Sequence, residues 1–158
     1  MDITLERATI EVAEAILNLQ VLAYQQEAVL YNNYAIPPLL QSLQSLKEEF
    51  QTQTFLVARL NGEVVGSVRA VCRDGRCHIG RLIVHPSLQR RGLGSRLLAA
   101  IETAFPEALR YELFTGQRSE GNLRLYKRLG YREFKREQAA PGLQIVFLEK
   151  PNKLPPAR

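Results

Sequence analysis

LIVHPSLQRRGLGSRLLAAIETAF, residues 82–105, carries the strongest signal in the chain. A short apolar run, Leu82 to Val84, meets Pro86. Gln89, Arg90 and Arg91 follow. Gly92 and Gly94 then open a run with Leu97, Leu98, Ile101 and Phe105 at helical spacing. The stretch therefore predicts a strand, a tight turn and a helix over 93–105. Glycines permit backbone conformations that a Cβ hinders, and they leave room for a ligand. Successive N–H groups in such a turn converge into an anion-binding concavity. The helix N-terminus adds unpaired donors and partial positive charge, and the arginines add mobile charge at the rim. A pyrophosphate fits such a cradle; so does a plain βα turn with two solvated arginines. GLGSRL lacks the third glycine of a G-x-G-x-x-G dinucleotide fingerprint, and no Gly-Lys-Ser/Thr of a P-loop is present.

Upstream the chain reads as β structure. TFLVARL (54–60), EVVGSVRAVC (63–72) and RCHIGRLIV (76–84) are separated by Asn61-Gly62 and Asp74-Gly75. Those dipeptides favour two-residue hairpin turns, which predicts three antiparallel strands. ITLER (3–7) is a short first strand. Thr9 can cap a helix running on to Asn33, with Val12, Ala13, Ile16, Leu17 and Leu19 as its stripe. Asn32-Asn33 and Pro37-Pro38 break it, and Ser42 opens a second helix over 42–53. Downstream, Pro106 stops the 93–105 helix and RYELFTG (110–116) is a strand. NLRLYKRLGY holds a short helix closed by Gly130, and YREFKRE and LQIVFLEK are the last strands. The order β-α-α-β-β-β-α-β-α-β-β has no repeat or linker. It predicts one α/β domain over residues 1–150, a mixed central sheet flanked by helices, with a polar tail at 151–158.

Composition excludes several classes. The 158 residues can bury a real core. Apolar residues at 46% and charged residues at 23% are ordinary globular usage. No apolar run has the length of a membrane span. MDITLERATIEVAEAI lacks the basic-then-apolar order of a signal peptide. A cytoplasmic protein with no membrane partner is expected. The net charge of +5 attracts anions in general. The arginines are scattered, without a like-charge block or a nucleic-acid motif, so no nucleic-acid partner is expected. Cys72 and Cys77 face each other across the Asp74-Gly75 turn, where a disulfide could form; in a reducing cytosol two buried thiols are expected. With His78 and His85 they do not make a tetrahedral ligand set of standard spacing, so no metal is expected.

VHPSLQRRGLG (84–94) resembles the V-x-P-x-x-Q/R-x-x-G-x-G/A motif of the GNAT N-acetyltransferase superfamily at every diagnostic position. TGQRSEGNLRLYKRLGYREF (115–134) is similar to the family's second signature, Asn followed by Leu-Tyr and then Gly-Tyr/Phe. With the order of elements, the resemblance covers essentially the whole chain. It implies the acyl-CoA N-acyltransferase fold, acetyl-CoA as acyl donor and a primary amine as acceptor. It also implies that Gln89, Arg90, Arg91, Gly92, Leu93, Gly94 and Ser95 hold the pyrophosphate of acetyl-CoA. The pantetheine arm would lie along Arg81–Val84, with N–H groups of Leu82, Ile83 and Val84 near the thioester. In the family a splay between the fourth and fifth strands opens that edge.

Acyl transfer from a thioester to an amine needs the thioester held, the amine neutral, the carbonyl oxygen stabilised and the departing thiolate protonated. Tyr126 matches the family's proton donor to the thiolate, although a tyrosine spaced helically from Leu123 and Leu129 also packs. Asn122 matches an asparagine that holds the helix start or contacts the cofactor, and Ser119 can do either. Three side chains and water stay open as the base. His78, eleven residues before Gln89, resembles the position of the catalytic glutamate in histone-type members. Its imidazole suits deprotonation near neutral pH. Glu27 falls where the family borders the acceptor pocket, and Glu112 is the third. Arg81 lies three residues after His78, so strand parity puts it on the opposite face. There it could anchor an acceptor carboxylate or pair with Glu112. An arginine in a strand, Arg69 or Arg81, is otherwise edge or solvent-facing. The resemblance implies a lid over the acceptor between the first two helices; that segment carries Tyr24, Tyr31, Tyr34 and Glu27, an amphipathic mix that could recognise a small-molecule amine or an amino-acid-like acceptor. A peptide or protein N-acetyltransferase and a non-catalytic acyl-CoA-binding module are the alternatives, and a homodimer stays open.

Overall fold

The structure, a computed structural model, describes residues 2–153. Its strands are β1 Ile3–Arg7, β2 Thr54–Leu60, β3 Glu63–Arg73, β4 Arg76–Val84, β5 Arg110–Gly116, β6 Arg132–Ala140 and β7 Leu143–Pro151. They form one sheet in the order β1-β2-β3-β4-β5-β7-β6. Only β4 and β5 run parallel, so the sheet is mixed, as the sequence predicts. The two hairpin turns have positive φ at both central residues: 52° and 82° at Asn61 and Gly62, 53° and 78° at Asp74 and Gly75. That is the type I′ geometry Asn-Gly and Asp-Gly favour. It brings Cys72 opposite Cys77 in register, both as free thiols. Burial pushes the Cys77 thiol up to about 12, so it stays protonated at neutral pH.

The helices are α1 Ala13–Ala23, α2 Gln25–Tyr31, α3 Pro37–Leu40 and α4 Leu43–Glu49 between β1 and β2, α5 Leu93–Thr103 after β4, and α6 Glu120–Arg128 after β5. The long first helix predicted from the sequence is interrupted. Ile10–Val12 is a 3-10 turn, and the chain leaves α1 at Tyr24 and restarts as α2. The physical reason is the pattern itself. Ala13, Ile16 and Leu19 bury against the sheet, but Gln25-Gln26 gives that face nothing to bury. Thr9 does not cap with its side chain; its hydroxyl donates to Glu11 Oε2 at 2.8 Å. Ser42 caps α4 as expected, its Oγ accepting the Ser45 N–H at 3.0 Å. Among the described residues no helix is long and apolar enough to cross a membrane.

Apolar clusters cover both faces of the sheet. On one, Leu97, Leu98 and Ile101 of α5 pack with Val68, Ala70, Ile79, Tyr111 and Tyr131. On the other, Ala13, Ile16 and Leu46 pack with Phe55 and Val57, and Phe50 stacks on Phe55 at 3.9 Å. The expected exposure of a strand arginine fails at Arg69, which is 2% exposed on that second face. Its Nε donates to Glu49 Oε1 at 2.9 Å, its Nη1 to Gln20 Oε1 at 3.1 Å and its Nη2 to Gln41 Oε1 at 3.0 Å. Gln20 also donates to the Pro38 carbonyl at 2.9 Å. One guanidinium thereby ties α1, α3, α4 and the loop between the last two to β3. The first residues of the tail predicted over 151–158 are described. Pro151 ends β7, and Asn152 donates from its side chain to the carbonyls of Pro106 and Ala108 at 2.9 and 2.8 Å. Residues 154–158 lie outside the described residues.

Removing one partner of a buried, hydrogen-bonded ion pair leaves an uncompensated charge, whereas exposed pairs contribute little. Glu49→Ala should cost about 3 kcal/mol in a urea unfolding titration. Glu6→Ala, which removes the exposed pair with Arg59, should cost less than about 1 kcal/mol. Equal losses would show that the Arg69 network does not organise this face.

Candidate functional site

The site begins where two parallel strands part. β4 and β5 pair only through Arg76 with Arg110, Cys77 with Tyr111 and His78 with Glu112. Beyond that point Ile79–Val84 and Leu113–Gly116 form opposite walls of a cleft of about 890 Å³. A bulge in β4 accompanies the parting. Ser67 pairs with Ile83 and Arg69 with Gly80, so Arg81 and Leu82 stand opposite Val68 alone. Arg81 carries the irregularity at φ 50°. The expected β4 residues Leu82, Ile83 and Val84 all line the cleft.

At the far end of β4 the chain makes the turn in which the cradle is predicted. Pro86–Leu88 is a 3-10 turn capped by His85, whose Nδ1 accepts the Ser87 N–H at 3.1 Å. Arg90 then takes φ 64° and Gly92 φ 78°, immediately before α5. Only Gly92 of the two glycines needs the left-handed region. A Cβ there would meet nothing within 4 Å, whereas a Cβ at Gly94 would sit 3.4 Å from Leu125 of α6. Gly94 is therefore a matter of space rather than of backbone freedom. Gln89, Arg90, Gly92, Leu93, Gly94 and Ser95 all line the cleft, although the Leu93 side chain is 2% exposed and packs in the core. The exposed Arg91 stands beside this lining.

The β5 side supplies the polar groups. Tyr126 of α6 lines the cleft while its ring packs 6.2 Å from Tyr131. Its hydroxyl makes no hydrogen bond within the described residues. Burial, reinforced by Tyr24 and Glu27, holds the Tyr126 phenol above its usual range, so it remains a proton donor. Asn122 does not begin α6, as an N-cap would. It lies inside the helix and donates to Thr115 Oγ1 at 3.2 Å. Ser119 precedes the helix, and its hydroxyl donates to Glu27 Oε2 at 2.8 Å. Tyr31 completes a relay: its oxygen accepts the Arg118 N–H at 2.9 Å and lies 2.9 Å from Ser119 Oγ. A Cβ on Gly116 would sit 2.1 Å from the Tyr31 oxygen, so this docking of α2 requires glycine. The sequence marks Glu27, Tyr31 and Ser119 singly but not the relay, because nothing local joins residues 88 positions apart.

Two expectations change. Parity puts Arg81 and His78 on opposite faces, but the bulge resets the alternation. The Arg81 guanidinium lies 6.0 Å from the Tyr24 ring, on the α1 side. Burial pushes the Tyr24 phenol up, with Arg81 and Arg69 pulling the other way. His78 is not brought into the cleft lining. Its side chain is 46% exposed, with Nδ1 4.0 Å from Glu112 Oε1. Glu112 is engaged by Arg110 Nε at 2.7 Å and likewise stays out of the lining. Glu27 is the base candidate that lines the cleft.

Known proteins resemble this chain in sequence and in shape. Residues 20–151 match the family model described as an acetyltransferase (GNAT) domain. The UPF0157 protein YqkA of Bacillus subtilis is 27% identical over 134 residues, 85% of this chain. The chain spans 38% of that relative's length. The PaiA N-acetyltransferase of Thermoplasma acidophilum, solved in complex with coenzyme A, superposes with TM-score 0.79 at 17% identity, over 96% of this chain and 99% of that one. The ribosomal-protein-S18-alanine N-acetyltransferase of Escherichia coli superposes with TM-score 0.81 at 15% identity, over 99% and 97%. At these identities the superpositions establish the fold: a mixed sheet flanked by helices, of the acyl-CoA N-acyltransferase type.

If the cradle holds a pyrophosphate, filling it should matter more than trimming its rim. Gly94→Val should weaken acetyl-CoA binding, measured by calorimetry without acceptor, by about tenfold or more. Arg90→Ala, an exposed charge, should weaken it only about threefold. The reverse order would place the anion on the arginines instead of on the backbone.

Proposed function

The chain belongs to the GNAT acetyltransferase family, and we propose that it moves the acetyl group of acetyl-CoA to the primary amine of a small molecule. The parting of β4 from β5 carries this reading, because it joins the glycine cradle to a polar chamber under α2. The chain's own residues fit the donor along its length. The backbone about Gly92 faces open space, and N–H groups converging there would suit a pyrophosphate. The edge of β4 at Leu82–Val84, unpaired with β5, offers backbone groups to an extended arm and to a thioester oxygen. Asn122 braces Thr115 on the opposite wall. Residues 1–150 act in this reading as one catalytic domain.

Each side chain then has a task. Glu27, lining the chamber and oriented by Ser119, receives the acceptor's ammonium and takes its proton toward solvent. Tyr126, kept protonated, donates a proton to the sulfur as the carbon–sulfur bond breaks. The ammonium loses one proton to solvent through Glu27 and a second as the amide forms; the second replaces the proton that Tyr126 gives to the thiolate, so the transfer is balanced. The chamber roofed by Tyr24, Glu27, Tyr31, Pro37 and Pro38 suits a compact acceptor.

A screen of free amino acids, polyamines, aminoglycosides and short peptides, read by coenzyme A release, tests the acceptor class. Turnover confined to peptides or intact protein overturns the small-molecule reading. Tyr126→Phe keeps the ring and removes the donor, so kcat should fall about 10- to 100-fold with little change in the acetyl-CoA constant. A Phe variant equal to wild type makes Tyr126 a packing residue.

The pH profile supplies a separate check. The rate should rise with pH as the acceptor loses its proton. A raised phenol pKa means that the donor form outlasts pH 10, the ordinary tyrosine value. The plateau should therefore show no fall near pH 10, and His78→Ala should leave the acid limb in place. A limb flattened by His78→Ala returns the base to His78.

A further inference from the structure

The cleft contains a cation with nothing to neutralise it. Among the described residues Arg81 forms no ion pair, and its Nε is buried without a hydrogen-bond partner. Arg69, nearby on the same face, shows what a satisfied guanidinium looks like here, with Glu49, Gln20 and Gln41 all accepting from it. Each carboxylate that could serve Arg81 is committed elsewhere. Glu49 is held by Arg69 and Glu112 by Arg110, while Glu27 accepts from Ser119. The Tyr24 ring at 6.0 Å offers its face, which orients a guanidinium but does not cancel its charge.

The bulge explains how the charge comes to be there. A regular β4 would alternate Arg81 away from His78 and Gly80. The extra residue, with Arg81 in the left-handed region at φ 50°, brings its side chain round to Tyr24 and the cleft. A non-glycine residue holds such a φ only against a local cost. Arg81 also sits on the stretch of strand set against the reacting end of the donor, several residues before the cradle. Its counterion should therefore belong to the acceptor.

We propose that Arg81 binds a carboxylate of the acceptor, which makes the acceptor a small amino-carboxylate such as a free amino acid. This rests on the acetyltransferase reading given above. The planar guanidinium fork matches a carboxylate in shape and in charge. Glu27 lines the same cleft, so a dianionic phosphate would meet a like charge there, whereas an ammonium would meet its complement. Carboxylate toward Arg81 and amine toward Glu27 and Tyr126 is the one orientation that satisfies every charge in the chamber.

The test compares free amino acids with their carboxamides, which keep the amine and lose the charge. With saturating acetyl-CoA, the wild-type chain should prefer the acids by about 100-fold in kcat/KM, the size expected of a charge-assisted bidentate contact. Arg81→Gln should collapse that preference by raising KM for the acids, and Arg81→Lys should restore part of it. Acetyl-CoA binding without acceptor should be unchanged in Arg81→Gln by calorimetry. Amides used as well as acids by the wild type would overturn the proposal whether or not the variants fold. A parallel loss of acetyl-CoA affinity in Arg81→Gln would overturn it too, by assigning Arg81 to the donor. Failure of the wild type to bind acetyl-CoA defeats the transferase reading itself. Donor binding without acid preference defeats this proposal alone.

Discussion

β4 and β5 are held together at one end and apart at the other, and the site depends on that difference. Two strands that separate inside a sheet expose backbone donors and acceptors that must find other partners. Here each strand is secured from its far side, β4 by β3 and β5 by β7 along its whole length. Both can therefore stay extended while the gap between them stays open. The bulge at Arg81 belongs to the same arrangement, because an extra residue bends the strand and increases its twist. An edge prepared in this way suits an elongated ligand with alternating amide groups, while a globular one would leave much of it unpaired.

The second constraint comes from the opposite face. The helices before β2 are short, and short helices gain little from propensity alone. The Arg69 guanidinium substitutes for length. It draws Gln20, Gln41 and Glu49 to one point, and Gln20 carries Pro38 with it. α2 is then fastened separately, by Tyr31 over Gly116 and by Glu27 on Ser119. The roof of the cleft is thus pinned at two places by polar contacts. Tyr24, between the pins, lines the chamber from a fixed height. Burying Arg69 is costly, and its pKa is lowered by that burial, but the paired Glu49 pulls in the opposite sense.

What the sequence made legible was local. The Asn-Gly and Asp-Gly turns, the cap at Ser42 and the glycine before α5 each follow from a few adjacent residues, and each stands in the structure as read. The fold followed because those signals fixed the strand boundaries. The misses share one cause. Arg81, His78 and Arg69 are decided by partners far along the chain. Strand parity assigned Arg81 a face, and a single extra residue in β4 reversed it. An arginine in a strand reads as exposed until a carboxylate 20 residues earlier is seen to meet it. Charge in a strand was a visible signal at both positions; whether it meant burial, binding or solvent was not.

The placement of charge along the cleft divides its labour. At the donor end Arg90, Arg124 and Arg128 line the opening around a cradle made of backbone. Such exposed arginines act over about 8–10 Å at physiological salt, far enough to draw in an anion but too weakly to fix its position. Backbone N–H groups act only at contact, where salt screens them little, so in the proposed reading the turn at Gly92 would fix what the arginines attract. At the acceptor end the balance is different. Glu27 and Arg81 both line the cleft, and each is met by a neutral hydroxyl or ring rather than by a counterion. A chamber built that way carries almost no net charge yet strongly separated charges. It would select a molecule with both signs at the right spacing over any simple cation or anion. In the proposed reading the chain's overall +5 would serve to gather an anionic donor and says little about the acceptor.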